Sequence, residues 1–153
     1  MPVSFQLRLP MTDSQTRSFL FIHVIWTTSE RAAVLKKPVR TILFAYLQKS
    51  SEEKGIKILA LNGVDDHVHV LLQLQPAQNL AQVVKSLKTD AAGWIVTTNL
   101  LGSSFEWQNN YAAYTVSPSG LKQVIEFIGN QEVYHQNKTL ESELAVFDKN
   151  YFE

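Results

Sequence analysis

Residues 66–74 read Asp66-His67-Val68-His69-Val70-Leu71-Leu72-Gln73-Leu74, and this stretch decides the fold. From Val68 onward apolar residues recur at every second position, the period of a β-strand whose successive side chains point to opposite faces. Val68, Val70, Leu72 and Leu74 line one face, suited to a core. His67 and His69 share the other, about 6.6–6.8 Å apart, with both imidazoles facing outward where a divalent metal ion can be held between them and a further ligand. By spacing alone the pair also suits two solvent-facing strand histidines that bind nothing.

Working outward, Ile56 to Gly63 reads as a second strand, and Asp65 and Asp66 make a tight connection that pairs the two as a hairpin. Upstream, Ser18 to Thr28 is dense in β-branched and aromatic residues and reads as a mostly buried strand, with His23 a hydrogen-bonded core histidine. Pro38 falls in the first turn of a helix running to about Lys54, whose apolar stripe is Val39, Ile42, Leu43, Tyr46 and Leu47, and Gly55 stops it. Downstream, Asn79 caps a helix from Leu80 to about Asn99, burying Leu80, Val83, Val84, Leu87, Ala91 and Trp94. Gly102-Ser103-Ser104 breaks it, Phe105 to Ser117 alternates as another strand, and Pro118-Ser119-Gly120 turns into a last helix, Leu121 to about Asn137.

The order β-α-β-β-α-β is the split arrangement of a ferredoxin-like α+β fold. It predicts an antiparallel sheet with helices on one face, a further C-terminal helix, and the other face left for ligands. Residues 1–17, with Pro2 and Pro10, read as an N-terminal arm, and residues 138–153 as a C-terminal tail, polar with scattered aromatics and irregular.

With 153 residues, 45% apolar and 18% charged, the chain has the composition of one soluble globular domain. It contains no Cys, which excludes disulfides, thiolate catalysis and Cys-ligated zinc and fits a cytoplasmic location. No apolar stretch reaches membrane-spanning length, and no export signal or membrane partner is read. The formal charge is zero but uneven: residues 1–64 carry nine Lys/Arg against four Asp/Glu, and residues 65–153 five against ten. This balance argues against a large non-specific DNA footprint while leaving room for a local groove.

Four ordered blocks carry a likeness: Phe21-Ile22-His23-Val24-Ile25-Trp26-Thr27-Thr28, Asp66 to Leu72, Trp107-Gln108-Asn109-Asn110-Tyr111 with Thr115-Val116-Ser117, and Phe127-Ile128-Gly129-Asn130-Gln131. Together they resemble the single-tyrosine HUH transposases of insertion sequences, including the REP-associated tyrosine transposases. The resemblance implies a transposase-like catalytic domain over residues 18–137. It implies DNA transposition on single-stranded or hairpin DNA, with strands cleaved and rejoined through a 5′-phosphotyrosine. It also implies a Mg²⁺ or Mn²⁺ ion held by His67, His69 and the amide oxygen of Gln131, which neutralises charge on the scissile phosphate. A homodimer follows too, with active sites shared between subunits.

The resemblance also implies a tyrosine nucleophile at position 127, four residues before Gln131 on the same helical face. Phe127 stands there instead, and a phenyl ring has no oxygen to attack phosphorus. A decayed or repurposed copy, an engineered substitution and a variant using another nucleophile all fit. Tyr134 is next on that face, but in a straight helix it lies about 10.5 Å further along the axis. Tyr111 and Tyr114 read as packing residues. Lys85 and Lys88 on the second helix, and Arg31, Lys36, Lys37 and Arg40 around the first, are the DNA-binding candidates, each group fitting an ordinary solvated face as well. Asp90 intrudes on the Lys85/Lys88 patch. Besides a cleavage-impaired transposase, the sequence admits a hairpin-binding module that does not cut, or a metal-dependent single-strand nuclease in which bound water replaces the tyrosine.

Overall fold

The computed structural model describes residues 16–152, so all but the last two residues of the expected N-terminal arm lie outside the described residues. Its elements are β1 (Leu20–Thr27), α1 (Lys37–Glu53), β2 (Lys57–Gly63), β3 (His67–Leu74), α2 (Leu80–Thr97), β4 (Ala112–Val116), α3 (Leu121–Gly129), α4 (Gln131–Tyr134) and α5 (Leu140–Phe152). The strands form one antiparallel sheet in the order β2-β3-β1-β4, as the split β-α-β-β-α-β pattern requires.

Alternation sets what each face does. Val24 and Trp26 of β1 and Val68, Val70 and Leu72 of β3 point to the side where Leu43 and Leu47 of α1 and Val84, Leu87, Ala91 and Ile95 of α2 complete the core. Asn79 caps α2, its side chain accepting from the Gln82 backbone N–H at 3.2 Å. Ile95 is buried, whereas Trp94 is only half-buried and stacks on Tyr46 with ring centroids 4.4 Å apart.

The register that places the histidines is pinned at the β2–β3 hairpin. Gly63 lies so close to the turn that a Cβ there would meet the His67 carbonyl oxygen at 2.3 Å. Any larger residue pushes the turn open, and a one-residue slip would move both imidazoles to the opposite face. Across the sheet His67 pairs with Thr27, His69 with Ile25, and Leu71 with His23, so His23 is the diagonal neighbour of His69 on one face.

Ile42 of the expected apolar stripe of α1 is exposed, and in the second half of the chain three elements differ from the sequence reading. Only Ala112–Val116 of the expected 105–117 strand pairs continuously, while Trp107 makes a single bridge to Thr28 and packs edge-on to Trp26, ring centroids 5.9 Å apart. The last expected helix breaks at Asn130 into α3 and α4. Most consequentially, residues 140–152 of the tail are helical, and the second sheet face is not left for ligands. Thr139 caps α5 by accepting from Ser142 N–H at 3.2 Å, and Phe147 rests with its ring centroid 5.2 Å from that of His23. Tyr114 donates to Asp148 at 2.7 Å, and Tyr151 bonds the Thr115 carbonyl, so α5 is tied along β4.

Candidate metal centre

With α3, α4 and α5 over the second face, the two strand histidines are buried rather than outward-facing: His67 is 1% exposed and His69 0%. Two further groups reach them that the sequence reading missed, His135 just after α4 and Glu143 of α5. One ligand atom from each of His67, His69, His135 and Glu143 falls within 4.8 Å of all the others. The closest approaches are His69 Nε2 to Glu143 Oε1 at 2.7 Å, His135 Nε2 to Glu143 Oε2 at 2.5 Å, and His67 Nε2 to His135 Nε2 at 3.1 Å.

Each imidazole is held by its other nitrogen. His67 Nδ1 lies 2.8 Å from Asp66 Oδ1, His135 Nδ1 lies 2.9 Å from the Lys138 carbonyl oxygen, and His69 Nδ1 lies 2.8 Å from His23 Nε2. The first two acceptors need a proton on Nδ1, which leaves the Nε2 lone pairs of His67 and His135 facing each other. The tautomer that makes His69 a ligand through Nε2 is the one whose Nδ1–H donates to His23. Orientation of a ligating imidazole by an outer acceptor is the common arrangement of protein metal sites.

Burial lowers the pKa of all three sheet histidines. That of His23 falls to about 3, from burial first and then the neighbouring His69. His67 is lowered mainly by burial, against the opposing hydrogen bond from Asp66, and His69 falls well below its ordinary value, again mainly by burial. Neutral imidazoles at physiological pH are the ligating form. Burial pushes the Glu143 carboxyl up, with the surrounding histidines opposing it.

Gln131 is fully buried beside His69 and Glu143, yet neither polar atom of its amide makes a well-directed hydrogen bond. The same holds for His69 Nε2 and both Glu143 oxygens. Buried polar atoms left without directed partners are destabilising by about 1–3 kcal/mol each, and several crowded around one point are what a bound cation resolves. The residues present therefore fit a divalent metal ion.

Phe127 packs against the His69 side of this cluster. Its ring centroid is 5.7 Å from that of His69 and 6.3 Å from that of His23. Across the break at Asn130 the Tyr134 ring packs edge-on to that of Phe127, with ring centroids 5.1 Å apart. Burial and the nearby Glu143 charge raise the Tyr134 pKa, which opposes its acting as a phenolate.

Comparison with known proteins decides the family. A profile described as IS200-like transposase matches residues 16–131. The chain belongs to the IS200-like transposase family. It is 27% identical over 132 residues to the ISDra2 transposase TnpA of Deinococcus radiodurans, covering 80% of this chain and 94% of that one. A crystal structure assigned as a transposase from Deinococcus radiodurans R1 superposes with a TM-score of 0.60 at 29% identity, over 76% of this chain and 93% of the other. The fold is shared as well with a REP-associated tyrosine transposase solved bound to a REP hairpin, with a TM-score of 0.57 at 14% identity, over 79% of this chain and 73% of that one.

In this IS200-like transposase, four of the cations singled out from sequence are engaged in ion pairs. Arg31 Nε pairs with Asp66 at 3.0 Å and its guanidinium also pairs with Glu141. Lys36 pairs with Asp65 at 2.5 Å, and Lys37 with Glu132 at 3.0 Å. Arg40, 5% exposed, bonds the Leu35 carbonyl, Asp65 and Glu132, bracing α1 against the hairpin and α4. Lys88 bonds the carbonyls of Gln108 and Asn110 and so holds the segment before β4. Lys85 is exposed at a cavity of about 850 Å³ between α2 and that segment, where Phe105, Trp107 and Tyr111 contribute aromatic surface. Asp90 does not oppose Lys85 there, being bonded to Tyr46, Ser50 and Lys54. No helix among the described residues is long and apolar enough to cross a membrane.

Proposed function

We propose that this member of the IS200-like transposase family binds single-stranded or hairpin DNA and does not cleave it through a tyrosine, because a phenyl ring stands where the nucleophile belongs. The observation that carries this reading is the placement of Phe127 against His69. The ring is aimed at the histidine cluster as a nucleophile would be, but it has no oxygen. DNA binding is supported by the cavity beside Lys85, where aromatic surface next to a cation suits unpaired bases and their phosphates. Arg31, Lys36, Lys37 and Arg40 reach phosphate only by exchanging their present carboxylate partners, which makes them the weaker part of the interface.

His67 and His69 are the residues that hold the ion, with Gln131 the third donor expected from the resemblance. In the family's chemistry a divalent cation at this pair would supply charge neutralisation at a scissile phosphate, a role that needs an open position on the ion. Of Mg²⁺ and Mn²⁺, imidazole donors favour Mn²⁺. The homodimer with active sites shared between subunits is taken from the resemblance; within one chain α3 packs on β2, Asn62 Nδ2 donating to the Ile128 carbonyl at 2.9 Å. The reading places the protein in the cytoplasm with its DNA. A nuclease reading gains Glu143, the carboxylate that sequence reasoning lacked, but that carboxylate is fully buried against His69 and His135, away from bulk water.

The test is a hairpin-bearing single-stranded oligonucleotide incubated with Mn²⁺ and either the native chain or Phe127→Tyr, then resolved on a denaturing gel. Binding by both and a covalent adduct with Phe127→Tyr alone support the reading. An adduct with the native chain overturns the loss of cleavage, and cleavage without an adduct supports the nuclease.

A further inference from the structure

We propose that this chain carries a closed four-ligand site for a first-row transition metal ion of the zinc class, built by His67 and His69 of β3, His135 after α4 and Glu143 of α5, and that the ion clasps α5 to the sheet. This rests on the reading of His67 and His69 as metal ligands, and replaces an open, exchange-ready site with a filled one.

The donor set comes first. Three imidazole nitrogens and one carboxylate oxygen suit zinc and its neighbours, whereas Mg²⁺ takes oxygen donors and keeps several waters. Geometry agrees. Ligands about 2.0–2.2 Å from a tetrahedral ion sit roughly 3.4 Å from one another. His67 Nε2 and His135 Nε2, 3.1 Å apart, are close to that value, the contacts of the two Glu143 oxygens at 2.7 and 2.5 Å are hydrogen-bond distances that widen by under about 1 Å to reach it, and one ligand atom from each residue lies within 4.8 Å of the rest.

Enclosure is the second argument. His67, His69 and Glu143 are 1%, 0% and 0% exposed, and the His135 side chain 10%, so the cluster has little room for the open position that a catalytic ion keeps. Third, each imidazole is already aimed by an outer partner, at Asp66, His23 and the Lys138 carbonyl. Gln131 then belongs in the outer layer, its buried amide beside Glu143 and able to donate to the carboxylate oxygen that is not on the ion.

The ligands come from β3 and from two points of the C-terminal segment 68 and 76 residues after His67. Binding therefore closes a long loop and stabilises the docked form of α5, which otherwise holds by Phe147, Tyr114–Asp148, Tyr151 and Arg31–Glu141.

The test uses the full chain stripped with chelator and titrated with ZnCl₂ or MgCl₂. Stoichiometry is read by competition with a chromophoric chelator and stability by Tm. One Zn²⁺ per chain is expected, with Tm raised by about 5–10 °C at a hundredfold excess over Kd, and no such rise with Mg²⁺. His135→Ala and Glu143→Gln are each expected to lower Zn²⁺ affinity at least tenfold. Co²⁺ bound to the native chain gives the intense visible absorption of four-coordination, a readout that needs no variant to fold. Zn²⁺ affinity unchanged in both variants and lost only in His67→Ala overturns the closed site but leaves the metal-binding reading of the family site standing. Six-coordinate Co²⁺ spectra, or a Tm response to Mg²⁺ equal to that of Zn²⁺, overturn it as well. Hairpin binding by the stripped protein, measured in parallel, reports on the DNA-binding reading independently.

Discussion

His23 Nε2 lies 2.8 Å from His69 Nδ1, a buried contact between residues 46 apart that fixes which nitrogen of His69 faces the metal centre. With Nδ1 turned to His23, Nε2 is the nitrogen that faces Glu143 and would be offered to an ion. His23→Ala is expected to weaken metal binding by about 10–100-fold, the usual effect of losing an outer partner. His23→Gln, which restores an acceptor, is expected to recover part of it. Isothermal titration of chelator-stripped proteins checks both, and equal affinities in all three would show that His23 has no orienting role.

Acid sensitivity of the metal-free protein follows from the same cluster. His23, His67 and His69 have folded pKa values below 6.5, so the unfolded chain binds more protons than the folded one as pH falls through 6.5 toward 3. Their stabilising contribution is present above pH 6.5 and is lost in that window. Glu143, raised above 4.5, acts with the opposite sign, its contribution present below 4.5 and lost as pH rises through its folded value. Three groups against one make the histidines dominate. Tm of the stripped protein is expected to fall steadily between pH 6.5 and 4, and a Tm that rises over that range would contradict the assignment.

Two cations separate binding from folding. Lys85 is exposed at the cavity, so Lys85→Ala is expected to weaken binding to a hairpin oligonucleotide, reduce the slope of log K against log salt by about 1, and leave Tm unchanged. Arg40 is buried and joins Leu35, Asp65 and Glu132, so Arg40→Ala is expected to lower Tm by about 4 °C or more. Salt-dependent fluorescence anisotropy and thermal melts distinguish the two.

Much of the fold was legible because β-strand alternation and helix punctuation agree in this sequence. Val68, Val70 and Leu72 read as a core face, Asn79 as a cap, and the β-α-β-β-α-β order as a ferredoxin-like sheet, and each is observed. The histidine pair was legible through its two-residue spacing. The completion of its site was not. Thr139 is a cap signal, and Leu140, Glu143, Phe147 and Tyr151 recur at helical spacing, but Glu143 puts a charge in the middle of that stripe and disguises an inward face as a polar tail. Glu143 is tolerated there because it meets histidines rather than apolar groups. The engagement of Arg31, Lys36, Lys37 and Arg40 was equally hidden, since their partners Asp65, Asp66, Glu132 and Glu141 come from distant segments.

Phe127→Tyr places a hydroxyl on a half-buried ring next to His69. Its folding stability is expected to change by about 1 kcal/mol or less. A melt within about 4 °C of the native chain confirms that any gain of cleavage comes from the added oxygen rather than from refolding of the site, and a larger shift would contradict the fit of a tyrosine at this position.

The most direct measurement is anomalous diffraction from crystals grown with Zn²⁺ and, separately, with Mn²⁺, recorded on both sides of each metal's absorption edge. The expected result is one peak between His67 Nε2, His69 Nε2, His135 Nε2 and Glu143 within a single chain, with bonds of about 2.0–2.2 Å. Absence of a peak there, or a peak ligated by His67 and His69 alone with α5 displaced, would contradict the account.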